Sequence, residues 1–279
     1  MDKLLKGAGG TLSLLTYDST GALGDVNGTN APDLVTVVDS SGTTVTTPTG
    51  VRNSTGNYSA PIPVTYTTLD TFGVTWHWAN NVSRTSGFEV VGGVLFSVAE
   101  FRAFDPALAS GTTYPYQRVV DIRETVEERF SSCAGVSFTR RGQRDYLDGN
   151  GMSSILASWP RIARVVSVKI DGIAQTASDF KGYDTGRLEH TAGVFSSGFQ
   201  NIEVLYEHGY DPPPFPIVEA AKRYGRELIV KGAFDDMSSA TSIQTELGLM
   251  RISQPSEGKV GIPEVDAVLA DYGHSALVG

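Results

Sequence analysis

The stretch from Leu205 to Pro216, LYEHGYDPPPFP, sets a histidine, two tyrosines and an aspartate against four prolines. His208 and Asp211 are the residue types that general acid–base catalysis uses, and a hydrolase could recruit them as a pair. The prolines point elsewhere. Pro212, Pro213 and Pro214 lack backbone N–H groups and bias their predecessors toward extended backbone, so they cannot lie inside a sheet. Gly209 permits a sharp exit from the preceding apolar alternation. We therefore read Gly209, Tyr210, Pro212, Pro213 and Pro214 as a stiff structural joint between a strand and a helix, with His208, Tyr210 and Asp211 bracing the turn.

The rest of the chain offers little other chemistry. It contains no G-x-S-x-G nucleophile elbow and no G-x-x-x-x-G-K-[ST] phosphate loop. His77, His190, His208 and His274 stand apart, and no H-E-x-x-H pairs two of them on one helix face. Cys133 is the only cysteine, which excludes an internal disulfide and a Cys-based zinc site and suits a core position. The segment DVNGTN, Asp25 to Asn30, has the oxygen spacing of a calcium loop, but Thr36 stands where an EF-hand needs glutamate, so a glycine turn is expected. No catalytic residue, cofactor or metal is expected, and the chain reads as a non-enzyme. Arg140, Arg141 and Arg144 in RRGQR form the densest basic cluster, and the acidic flanks favour a solvated or subunit-facing hairpin over a DNA clamp. A net charge of −9 also opposes gripping of nucleic acid, although it suits a passage that DNA crosses without being held. Apolar runs fall far short of the roughly 20 residues that span a bilayer, so no membrane association is expected.

Elements must position these residues, and 279 residues suggest more than one domain. Residues 10–90 alternate short apolar runs with turn clusters, the rhythm of an antiparallel β-sandwich. In VTWHW, Val74, Trp76 and Trp78 share one face and Thr75 and His77 the other. Beyond Gly92 and Gly93 the periodicity becomes helical. Ser97 and Glu100 form a capping box that opens a short helix ending before Pro106. Pro115 starts a second helix with Val119, Ile122, Val126 and Phe130 as its buried stripe, and with Arg118, Asp121, Glu124, Glu127 and Glu128 elsewhere. VSFTR, RDYLD, RVVSVKID, RLEH and IEVLYEHG read as strands of a small antiparallel sheet, with Asp171-Gly172 as a tight turn. After the prolines, Ile217, Ala221, Tyr224 and Leu228 mark a third amphipathic helix that Gly232 would end.

The last residues look too sparse for a core of their own, yet Ile262, Val265, Leu269 and Tyr272 fall on one helical face between a Pro263 start and a Gly273 stop. That face is expected to wait for a partner. The fold class is thus α+β and multidomain: a sandwich over 1–90, a body with helices and a small sheet over 91–237, and an extended arm over 238–279. The glycine-flanked junction between Phe88 and Leu95 is expected to make the sandwich separable.

The order of SVAEFR, a long helix, VVSVKIDGIAQTASDF, IEVLYEHGYD, the prolines and PIVEAAKRYGRELIV resembles the head-to-tail connector (adaptor) proteins of long-tailed double-stranded DNA bacteriophages, over about residues 95 to 235. Val204, Tyr206, Gly209, Tyr210 and Pro212 to Pro214 carry the likeness most strongly, and IPEVDAVLADYGH is similar to the C-terminal segment of such connectors. The resemblance implies a homo-oligomeric ring of about twelve copies in the neck of the virion, assembled in the host cytoplasm. Its partners would be the portal and a tail-side neck or tail-completion protein, with DNA passing through the channel without sequence-specific binding. Ile262, Val265, Leu269 and Tyr272 would then contact the portal or a neighbouring subunit. The N-terminal segment departs from the minimal pattern and looks like an added immunoglobulin-like domain. A decoration or receptor-binding protein that uses this domain is the alternative.

Overall fold

The computed structural model describes residues 2–26, 30–62, 66–79, 81–231, 242–245, 248–251 and 259–273. The chain is mixed α and β, dominated by several sheets, with four α-helices among these residues. Its buried apolar residues gather in three cores.

The first core lies between two sheets. Strands β1 (Asp2–Leu5), β2 (Gly10–Leu15), β3 (Leu34–Val38), β4 (Thr44–Thr46), β5 (Val51–Ser54), β6 (Asn57–Ile62), β7 (Asp70–Trp78) and β8 (Val82–Val91) pair in the orders β1-β8-β7-β3-β4 and β2-β6-β5. Strict alternation along β7 sends Phe72, Val74, Trp76 and Trp78 inward, and the ring of Tyr58 from the second sheet meets Trp78 edge-on at 5.0 Å. Two features differ from the sequence reading. TTVTTPTGV splits into β4 and β5 around Pro48, which has no N–H to give a ladder. β1 is an additional strand that pairs with β8 in parallel, so the larger sheet is not purely antiparallel. A parallel neighbour needs a long crossover, and everything from β2 to β7 supplies it.

The second core is helical. Ser97 caps α1 (Val98–Phe104), and the reciprocal bond from its own N–H to Glu100 completes the capping box. α2 (Tyr116–Ala134) buries Val119, Val126 and Phe130, with Ile122 partly covered, and ends at Gly135 in the left-handed region with φ 66°. α3 (Phe215–Lys231) adds Ile217, Ala220, Ala221 and Ile229, with Tyr224 and Leu228 partly covered. Its expected stop, Gly232, lies outside the described residues.

The third core belongs to the β-rich segment between α2 and α3. Strands β9 (Arg141–Gly149), β10 (Ser154–Leu156), β11 (Ile162–Ile170), β12 (Ile173–Gln175), β13 (Phe180–Gly182), β14 (Arg187–His190) and β15 (Gly198–His208) form a four-stranded sheet, β12-β11-β15-β9, and a three-stranded one, β10-β14-β13. The Asp171-Gly172 turn is present, with both residues at positive φ, as a two-residue hairpin requires. VSFTR does not become a strand. Val136 and Phe138 are buried in the helical core, while Ser137 and Thr139 turn back on each other through the Ser137 hydroxyl.

The tail supplies a short hairpin, β16 (Ser242–Thr245) with β17 (Gly248–Arg251), and a helix, α4 (Pro263–Tyr272). α4 begins and ends where Pro263 and Gly273 placed it. Its partner differs from the expectation. Val265 is 1% exposed and Leu269 4%, both inside the helical core against α2 and α3. The helix does not wait for another molecule, because its apolar face is already covered within the chain.

Candidate functional site

The joint is built where β15 ends. Gly209 has φ 92°, and a side chain there would collide with the Thr139 carbonyl, so only glycine fits. Its N–H donates to the Arg161 carbonyl at 3.1 Å, and the Tyr210 N–H donates to the Ser137 carbonyl at 3.2 Å. Pro212, Pro213 and Pro214 then lead directly into α3. The Tyr210 ring stacks on Phe138 at 5.8 Å, and the Arg161 guanidinium lies 3.8 Å above it. Tyr272 at the end of α4 meets Tyr210 and Phe138 edge-on, each at 6.0 Å. The structure thus brings together the two sets of residues that the sequence singled out separately, the joint and the face of the tail helix. Ile262 packs at the margin of the same core.

A second group of residues, unmarked in the sequence, welds the three cores through charge. Glu127 on α2 is 4% exposed, is paired with Lys3 of β1, and accepts the Leu95 N–H at 3.0 Å. The sequence set Glu127 off the buried stripe of α2, and β1, approaching from the first core, brings Lys3 against it. Arg141 grips Glu89 of β8 through two guanidinium nitrogens. Arg144 reaches Glu203 on its own sheet, Asp70 at the start of β7 at 3.4 Å, and the Ser40 hydroxyl at 2.7 Å. Glu207 gathers Arg164 at 2.6 Å, Arg140 at 3.6 Å and Lys6 at 3.7 Å. The RRGQR cluster is therefore neither solvated nor a DNA clamp. Its arginines are spent inside the chain, in a seam against carboxylates that lie far away in sequence. The Phe88–Leu95 junction is likewise no loose linker, since the Gly92 N–H donates to the Arg140 carbonyl at 2.8 Å and Leu95 and Phe96 are buried.

Beside this seam opens a cleft of about 400 Å³, lined among others by Lys3, Glu89, Glu124, Glu128, Trp159 and His208. His208 is 2% exposed and stacks on Trp159 with centroids 5.0 Å apart. Burial first, and then the Arg141 and Arg140 guanidinium groups, hold its pKa down to about 3, against the opposing pull of Asp145. The imidazole is therefore neutral at physiological pH. Nearby, Asp145 accepts the Tyr206 hydroxyl at 2.8 Å and the Ser158 N–H at 2.8 Å, and burial together with this carboxylate pushes the Tyr206 phenol far up. Asp211 pairs with Arg140 at 3.8 Å, and among the described residues no hydrogen bond joins it to His208.

Asp25, the first residue of the calcium-like segment, is occupied by the Arg52 guanidinium, the Gly56 N–H and the Tyr58 hydroxyl, and Asn27 to Thr29 lie outside the described residues. Among the described residues, no group of three or more His, Cys, Asp or Glu side chains could hold a metal ion, and no helix is long and apolar enough to cross a membrane. Cys133 is partly buried against the helical core. No protein-family model matches the chain, and neither does any curated protein.

Proposed function

We propose that the chain is a ring subunit in the neck of a long-tailed double-stranded DNA bacteriophage, where it joins the portal to the tail and continues the DNA channel. The observation that carries this reading is the order in which one helical core is assembled. A capped short helix and a long helix come first, a β-rich excursion with its own core follows, and a glycine-proline joint then returns the chain as α3. That order coincides with the stretch whose motifs resemble connector proteins, and it gives the excursion a core of its own beside the helical one. Exposed Tyr116, Phe199 and Phe215 offer apolar area that neighbouring copies could bury.

In this reading the N-terminal pair of sheets is an immunoglobulin-like module fixed to the body by the charged seam. The ring holds about twelve copies, with the portal on one side and a tail-side neck protein on the other. DNA passes through without sequence-specific contacts, as the chain's net charge of −9 favours. Val265 and Leu269 close the subunit's own helical core rather than engage the portal. Imaging of the neck in intact particles tests the proposal. A cyclic ring beneath the portal whose density accommodates all three cores supports it. Finding the chain spread over the capsid surface, or absent from the neck, overturns it.

A further inference from the structure

We propose that the far end of the β-rich excursion is a docking knob, and that it seats in the groove between α3 and α4 of a second copy of this chain. The inference deepens the ring reading and rests on it for the closed arrangement alone. It starts from four apolar side chains at the end of the β9, β11 and β15 sheet. Met152, Ile173, Val194 and Phe199 are each more than half exposed, Phe199 reaching 81%. Hydrogen bonds tie their loops together. The Asp171 carboxylate accepts the Ser196 hydroxyl at 2.6 Å and the Asn201 amide at 3.0 Å, and Asn201 in turn accepts the Gly149 N–H at 2.9 Å. The Phe195 N–H donates to the Met152 carbonyl at 2.8 Å. Beside Phe199, Gln200 holds φ 46°, an uncommon value for a residue with a side chain, and its N–H donates to Asp148 at 2.7 Å. A braced and strained backbone that leaves a phenyl ring in water fits a surface kept for contact.

The complementary hollow lies on the helical core. Pro216, Ala220 and Val268 surround the buried Val265 in a groove of about 250 Å³. That is below the roughly 300–1,000 Å³ of small-molecule sites and suits an inserted side chain. The knob does not reach the groove of its own subunit. β15 runs 11 residues from the knob to His208, and at about 3.3 Å each it holds the knob roughly 30 Å from the joint, just past which the groove begins at Pro216. Charge favours the same pairing. The loops of the knob, residues 148–153, 171–173 and 191–201, carry Asp148 and Asp171 and no lysine or arginine. On the rim of the groove Glu219 is matched by Lys222 at 2.8 Å, while Arg223 is exposed and has no ion pair with another described residue. Glu264 stands on the α4 side, so an acidic knob is drawn toward α3. Area sets the form of the assembly. Four side chains cover far less than the roughly 800 Å² that each partner gives to a stable pair, so one such contact makes no dimer. Knob and groove are different patches, which makes the contact head-to-tail and gives every copy two of them once a ring closes.

The test places photoreactive benzoylphenylalanine in place of Phe199 in the full chain, mixed at high concentration with isotope-labelled chain and irradiated. The expected products link unlabelled to labelled chains, and their peptides map from that residue to 216–223 or 264–268 of the other copy. Arg223→Glu changes an exposed side chain and so leaves the fold intact, which circular dichroism checks. It should lower the yield of these links roughly two- to fivefold, the range for one exposed ion pair. Links that are absent, confined to one chain or mapped to other surfaces overturn the docking, as does a yield that Arg223→Glu leaves unchanged. Imaging of the neck judges the ring reading separately. A ring beneath the portal without these links keeps that reading and sinks the docking, whereas the links without such a ring keep the docking and sink the neck assignment.

Discussion

Glu127 shows how one side chain comes to join two folded units. Its carboxylate is desolvated, and both of its partners, Lys3 and the Leu95 N–H, come from outside α2. Removing the charge strands Lys3, which is itself nearly buried, without a counter-ion. We expect Glu127→Ala to cost about 3 kcal/mol in denaturant-induced unfolding, the scale for breaking a buried pair from one side. A loss below about 1 kcal/mol would place the pair among screened surface contacts. His208 makes a prediction in pH. Its folded pKa of about 3 lies below the ordinary 6.5, so the unfolded chain takes up a proton that the folded chain refuses. Stability is fully present above pH 6.5 and falls as pH drops toward 3, at up to about 1.4 kcal/mol per pH unit. Glu124, pushed up by burial, acts in the opposite sense above its ordinary 4.5, so the His208 slope is read in the window that opens just below pH 6.5. Replacing His208 by Gln should flatten the unfolding free energy across that window. An unchanged slope would show that the imidazole charges freely in the folded state.

At the scale of elements, α4 and the joint are one construction. The helix seals the core that α2 and α3 leave open, and its Tyr272 caps the Phe138–Tyr210 stack at the exit from β15. Leu269→Ala should therefore cost roughly 2–4 kcal/mol, as a buried leucine truncation does. Aspartate at both Val265 and Leu269 would bury charge against α2 and α3. The double variant should lose helical ellipticity and cooperative unfolding of the whole helical core. Retention of both would mean that α4 is dispensable to the subunit. The limits of α4 were legible from Pro263, Gly273 and the spacing of Ile262, Val265, Leu269 and Tyr272. Its destination was not, because an apolar stripe records that something covers it without recording what. VSFTR misled for a related reason: alternation looks like a strand even where the backbone is spent bracing a turn.

Across the whole molecule, the seam makes the first core a neighbour that the others need. Removing residues 1–87 takes away Lys3, Lys6, Ser40 and Asp70, and so leaves Glu127 without its ion pair and Arg144 without Asp70 and Ser40. It also uncovers Gly142, whose Cα packs so tightly on the Leu69–Asp70 backbone that a methyl group would not fit. We expect the truncated protein to melt well below the intact chain in calorimetry. A remainder that melts at the intact temperature would show that the seam contributes no stability and that the two parts are merely tethered.

The sequence by itself determined the mixed α+β class, the β-rich start, the capping box at Ser97, the stripes of α2 and α3, the Asp171-Gly172 turn, the joint at Gly209 and the limits of α4. These are local properties, set by the periodicity of side chains along a strand or helix and by the backbone limits of glycine and proline. Tertiary structure alone decided that β1 joins the larger sheet in parallel, that α4 closes its own core, that RRGQR is consumed by Glu89, Asp70, Glu203 and Glu207, and that His208 lies neutral beside an acidic cleft. Each of these depends on residues 50 to 130 positions apart or more, and the worth of a charge is fixed by the solvent and counter-charges around it after folding. An arginine in a sequence carries its charge. What that charge meets, water or a buried carboxylate, is settled only when distant segments pack.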